Sequence, residues 1–156
     1  MPEPIRRTTA RVLPVNREGA VLLLLERDPT RPTEPYWGTI GGAVDPEESL
    51  AEAAVRELWE ETGIVADPAD LTPPFHRRQT EFSWNGVAYL GDSTVFALRL
   101  PGDTPVTFDH LEKEEVGNVL DARWLTPRQA MDEAWLMWPD LPDLMSDAIA
   151  AVEGLT

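Results

Sequence analysis

The stretch Gly42-Ala-Val-Asp-Pro-Glu-Glu-Ser-Leu-Ala-Glu-Ala-Ala-Val-Arg-Glu-Leu-Trp-Glu-Glu-Thr-Gly-Ile64 decides how the chain is read. Ser49 followed three residues later by Glu52 forms a capping box, which predicts a helix start. Gly63 suits the left-handed conformation just past a helix end, which predicts the stop. Between them Leu50, Ala51, Ala54, Val55, Leu58 and Thr62 fall on one face at helical spacing. Glu57, Glu60 and Glu61 gather on the neighbouring face. Like charges at i, i+3 and i+4 cost roughly 0.2–0.5 kcal/mol per pair on an isolated helix. The cost is larger for Glu57 and Glu61, which border the apolar stripe. A hard divalent cation reverses that repulsion, and carboxylate oxygens suit Mg²⁺. Three glutamates alone read first as a solvated acidic face. What argues against that is their company, with Glu48, Arg56 and two bounding glycines at set offsets.

Gly42, five residues, Glu48, seven residues, then Arg56-Glu57-Leu58-Trp59-Glu60-Glu61-Thr62-Gly63-Ile64 resembles the Nudix hydrolase signature position for position. The resemblance implies a Mg²⁺-dependent hydrolase, with Mn²⁺ able to substitute, acting on a nucleoside diphosphate linked to another group. Nucleoside triphosphates, ADP-ribose, sugar nucleotides and dinucleoside polyphosphates all fall in that class. It implies Glu57 and Glu61 as primary metal ligands and Glu60 as a ligand or positioner of water. The carbonyl of Gly41 is a further implied ligand, and Arg56 with Glu48 would hold the loop against the helix. The general base is Glu57 or a downstream glutamate. A further glutamate after the main sheet is expected among Glu112, Glu114 and Glu115, with Glu115 the chosen candidate. Glu52 belongs to the helix cap, with a surface ion pair to Arg56 as an additional expectation.

Two positions depart from the common pattern. Ile40 stands where many members have proline, and Glu47 where many have glycine. Neither position supplies chemistry, but both bear on the loop's shape. Two rivals to the hydrolase remain within the same fold. A catalytically silent nucleotide-sensing module often loses signature glutamates, which this chain keeps. An isopentenyl diphosphate isomerase uses a cysteine, and this chain has none.

Outward from the signature, Thr8–Val15 and Ala20–Leu25 read as a hairpin around Asn16–Gly19. The run Ala20-Val-Leu-Leu-Leu-Leu25 is apolar throughout, as in a central strand covered on both faces. Residues 27–35 are loop. Tyr36–Ile40 is a short strand leading into Gly41-Gly42, where the backbone can approach a metal or phosphate without a Cβ between. His76–Trp84 and Val87–Leu90 flank Asn85-Gly86, the dipeptide of a tight hairpin turn. Thr94–Leu100 and Asp121–Leu125 are further strands, and the acidic stretch 109–120 is a short helix or ordered loop. Pro127–Trp138, capped by Thr126, and Leu141–Val152 read as helices. The chain of 156 residues is thus expected to be one domain spanning 1–156. Its expected class is α+β, an α/β/α sandwich around a mixed sheet.

With 13 basic against 28 acidic residues the net charge is −15. Such a surface repels a nucleic-acid backbone, so no long nucleic acid is expected as partner. A small nucleotide-like diphosphate remains compatible if a cation inverts the local field. No apolar run reaches the roughly 18 residues of a membrane span, and Met1–Arg7 lacks a signal-peptide core, so no membrane partner is expected. Cytoplasmic is the default expectation, and a homodimer is left open. Arg27, Arg31, Arg77 and Arg78 are the cations placed to meet substrate, Arg27 and Arg78 being the chosen pair. In a strand Arg77 and Arg78 must face opposite sides. Trp37 is the aromatic expected to line the cleft, while Trp59 points away from the apolar stripe. His76 and His110 are isolated and read as non-catalytic.

Overall fold

Side chains alternate strictly along the inner strands, and each parity feeds a different helical layer. The computed structural model describes residues 3–102 and 104–154; the first two residues of the amino-terminal stretch and both ends of the expected domain lie outside them. Strand β1 (Ile5–Val15) runs parallel to β6 (Val87–Arg99) and antiparallel to β4 (Ile40–Ala43). Strand β2 (Val21–Glu26) lies between β3 (Tyr36–Gly38) and β7 (Val119–Leu125), antiparallel to both. Strand β5 (His76–Trp84) pairs with β6 at the far edge. Ala10, Val12, Leu22, Leu24, Phe96 and Leu98 face helix α1 (Leu50–Thr62). Leu13, Val15, Val21, Leu23, Val95 and Ala97 face helix α3 (Leu141–Glu153). The expected three-layer sandwich is therefore the observed one, with β2 buried on both faces.

The helix boundaries follow the local signals. The Ser49 hydroxyl accepts from the Glu52 N–H, and the Glu52 carboxylate accepts from the Ser49 N–H. Gly63 closes α1 with φ 74°, its N–H bonded to the Trp59 carbonyl. Leu58, wholly buried beneath the sheet, stabilises that packing by about 1.5–3 kcal/mol. Asn85 and Gly86 both have positive φ, as the turn between β5 and β6 requires.

Three local readings are corrected. The segment Tyr36–Ile40 is not one strand: the chain switches partner at Thr39, from β2 to β1, and the second strand runs on through Gly41 and Gly42 as β4. Val87–Leu90 and Thr94–Leu100 are not separate strands. Residues 91–93 pair with β1 on one side and β5 on the other, so ladder bonds on both flanks carry the chain through Gly91. Helix α2 covers only Pro127–Met131, not the whole of 127–138. Beyond it the backbone bonds to β3 instead, Trp37 N–H to the Trp135 carbonyl and Met137 N–H to the Trp37 carbonyl. Tertiary hydrogen bonds there replace the helical ones that the local pattern predicts. Among the described residues no helix is long and apolar enough to cross a membrane.

Candidate active site

Two adjacent glycines let α1 press its acidic face against the sheet. A Cβ at Gly41 would run into the Ala10 carbonyl oxygen and stand 2.8 Å from the Arg11 Cα, and its φ of 148° is itself hostile to side chains. A Cβ at Gly42 would stand 2.6 Å from Glu57 Oε1. The missing side chains make the room that the carboxylates fill. Gly41 N–H donates to Glu61 Oε1 at 2.7 Å, fixing that carboxylate against β4. Glu57 and Glu61 are 7% and 1% exposed. The buried face of α1 is thus not only the apolar stripe; Ala53, Glu57 and Glu61 extend it.

Arg56 organises the other side. Its Nε and Nη2 grip the two oxygens of Glu48 at 2.7 and 2.9 Å, and Nη2 also donates to the Ala43 carbonyl at 2.9 Å. Its Nη1 reaches Glu57 at 3.0 Å and Glu60 at 3.1 Å. Planar, always charged and multiply bonded, it does what a lysine could not. The Arg56 hydrogen bonds hold the Glu48 carboxyl below the usual range. The expected Glu52–Arg56 pair is not formed, because Arg56 turns inward to these four partners.

The loop before β7 brings in the remaining acids. Oxygens of Glu57, Glu61 and Glu115 lie within 4.8 Å of one another, as do those of Glu60, Glu112 and Glu115. Glu115 therefore joins both groups, Glu112 one, and Glu114 neither, although it borders the same cavity. Burial pushes the Glu57 carboxyl up to about 7 despite the nearby Arg56 charge. Glu61 is also raised well above its ordinary value, by burial first and then by Glu26 and Glu115. Glu26, at the end of β2, is itself raised to about 7 by burial, against the pull of Arg11. Crowded buried carboxylates of this kind are costly without a cation, and an all-oxygen donor set matches a hard divalent ion. The residues present fit such an ion.

A cavity of about 1070 Å³ opens from this cluster, bounded by the β5–β6 hairpin, the loop after β2 and residues 135–139. Arg78 lines it, lying 4.2 Å over the Trp138 ring and bonded to Asp140 at 2.7 Å. Arg77, on the opposite face of β5, pairs with Asp92 outside it. Asp28 ties two walls together: its Oδ1 accepts from the Thr30 N–H and hydroxyl and from the Asn85 N–H at the hairpin tip. Two expectations fail. Arg27 does not line the cavity, and Trp37 is 5% exposed within the α3-side core. The tryptophans on the wall are Trp135, Trp138 and Trp84, placed there by the non-helical segment and the hairpin. Trp59 is 42% exposed and stacks on His110 with ring centroids 4.1 Å apart.

Sequence reading missed Glu26 and Arg11. Arg11 breaks the apolar run of β1 and Glu26 ends β2, signals that read as an ordinary edge residue and an ordinary strand end. Only the β1–β4 and β2–β3 pairings bring them beside α1.

Comparison with known proteins follows the same lines. The NUDIX domain model matches residues 5–147. Phosphatase NudJ of Escherichia coli K12 is 44% identical over 54 residues, covering 35% of this chain and 33% of that protein. The chain thus spans about a third of the curated relative's length. Among solved structures, the Escherichia coli dihydroneopterin triphosphate pyrophosphohydrolase superposes with TM-score 0.70 at 19% identity, covering 95% and 99% of the two chains. The MutT protein of Methanosarcina mazei Go1 gives 0.64 at 23% identity, covering 94% of each. At these identities the structures are similar in fold alone.

Proposed function

The chain belongs to the Nudix hydrolase family, and on that premise we propose that it is a pyrophosphohydrolase using Mg²⁺, with Mn²⁺ able to substitute. Its substrate is a nucleoside diphosphate linked to a further moiety. The observation that carries this reading is the convergence of Glu57, Glu61 and Glu115 within 4.8 Å beside a double glycine. Glu57, Glu61 and Glu115 would hold the ion, with Glu60 and Glu112 forming the adjoining group and the Gly41 carbonyl a further ligand. When bound, the cation supplies Lewis acidity, making water nucleophilic near neutral pH and neutralising charge on the leaving phosphate. Arg56 keeps Glu57 and Glu60 oriented, and Glu48 keeps Arg56 in place. A glutamate of this cluster, Glu57 or a downstream one such as Glu115, takes the proton from the attacking water. Arg78, steadied on Trp138, contributes a cation to the cavity wall. Similarity to NudJ and to the dihydroneopterin triphosphate enzyme supports a small phosphorylated substrate.

The test is a nucleotide panel with Mg²⁺ in ¹⁸O-labelled water. Phosphate, pyrophosphate or mononucleotide should be released, stopped by chelation, with label in a phosphate-containing product. Label confined to a non-phosphate product would mean attack at carbon and would sink the mechanism. Tight binding with no turnover would favour the nucleotide sensor.

A further inference from the structure

The cations around the cavity differ in how they are employed. Arg56 is held by carboxylates, Arg78 by Asp140 and the Trp138 face, and Arg7 sits over the Tyr89 ring. Arg31 stands exposed at the rim, where water can solvate it. Arg11 is in a different position. It lines the cavity, yet no hydrogen bond or ion pair joins its guanidinium to any described residue. Its Nε is shut off from solvent and unpartnered. A donor in that state has lost its water without recovering a bond, which is costly unless another molecule supplies the acceptor.

Packing rather than pairing fixes its place. Arg11 stands opposite Gly41 in the β1–β4 register, and its Cδ lies 3.0 Å from where a Gly41 Cβ would be. Only glycine leaves room for that stem. Gly41 is also the residue whose N–H binds Glu61, so the Arg11 stem packs beside a residue bonded to the carboxylate cluster. Glu26 feels the Arg11 charge, but no ion pair joins the two.

We infer that Arg11 is a phosphate-binding residue of this site, its guanidinium receiving a substrate phosphate group delivered beside Gly41 and the α1 carboxylates. This rests on the hydrolase reading above. The planar fork matches two oxygens of one phosphate, and a guanidinium that makes no ion pair among the described residues is free to take them. The chain is strongly acidic, so a committed anion receptor beside the metal carboxylates answers the repulsion that a polyphosphate would otherwise meet.

Calorimetric titration of inorganic pyrophosphate into the Mg²⁺-loaded protein tests the assignment. Arg11→Met, which keeps an unbranched stem against Gly41, should weaken pyrophosphate binding by about tenfold or more. Mg²⁺ binding measured alone should not weaken. Arg11→Lys should recover part of the loss, since it restores the charge without the fork. Arg77→Met, which removes an equal charge outside the cavity, should leave pyrophosphate binding as it was. Wild-type affinity in Arg11→Met, an equal loss in Arg77→Met, or no pyrophosphate binding by the wild-type protein would each overturn the assignment. If Arg11 proves necessary for pyrophosphate but no nucleotide is turned over, the hydrolase reading falls and the phosphate site stands. If turnover by Arg11→Met equals wild type in both kcat and KM, the reverse holds.

Discussion

The Gly41 N–H donates to Glu61 Oε1 at 2.7 Å, so β4 and α1 are joined at the residue pair where the acidic cluster begins. That bond satisfies a buried carboxylate from the backbone and sets where the others can lie. It also makes the double glycine a feature of the candidate site's geometry as much as of the fold.

Glu57→Gln and Glu61→Gln should each fold and each lose activity. Loss of an outer partner of a metal site costs about 10–100-fold, so loss of a direct charged ligand should exceed about 100-fold in turnover. Thermal melts paired with Mg²⁺-dependent assays check this. Near wild-type turnover in either variant would remove that residue from the ligand set. Glu52→Gln, confined to the cap, should leave turnover unchanged.

The two glycines should fail differently. Gly42→Ala places a Cβ 2.6 Å from Glu57 Oε1, so it should displace the carboxylate and weaken metal binding while the protein still folds. Gly41→Ala meets backbone at Ala10 and a left-handed φ, so it should cost roughly 1–3 kcal/mol of stability or more. Denaturant melts and metal titrations of both variants separate the effects. Equal stability of the two would contradict the backbone argument.

Without metal, stability should fall as pH rises from about 4.5 to about 7. Burial raises Glu26 and Glu57 to about 7 in the folded protein, so over that window the native state binds more protons than the unfolded chain. By linkage the slope of unfolding free energy with pH is then negative. Mg²⁺ binds the ionised carboxylates and should flatten or reverse the slope. Glu26→Gln and Glu57→Gln should each flatten it without metal; an unchanged slope in both would assign it to the general acidity of the chain.

Arg56→Lys should keep the fold and lower turnover by about 10–100-fold. A lysine cannot hold both Glu48 oxygens while reaching Ala43, Glu57 and Glu60, so the carboxylates lose their orientation. The readout is kcat with Mg²⁺ saturating. If kcat is untouched, the clamp is structural alone.

The signature helix was legible in sequence because its information is local. Ser49, Glu52 and Gly63 cap it by bonds within four residues, and its acidic face follows from helical spacing. The gathering of Glu57, Glu60 and Glu61 was legible for the same reason, whereas Glu48 beside Arg56 was expected only from the resemblance to the Nudix signature. Glu115 could be named only as one of three, since a loop carries it and nothing local sets the loop's path.

What only the tertiary structure decided is the company these residues keep. Sheet registry is non-local: it pairs Arg11 with Gly41, continues β6 through Gly91, and places Glu26 at the cluster. Residues 132–138 leave the helical path their sequence suggests because Trp37 offers them backbone bonds, and that puts Trp135 and Trp138 on the cavity wall while Trp37 itself is buried. Sequence by itself determined the carboxylate-bearing helix and the alternating strands, through hydrogen bonds and periodicities a few residues long. The depth of burial that crowds those carboxylates, and the cavity that opens beside them, arise only where strands distant in the chain meet.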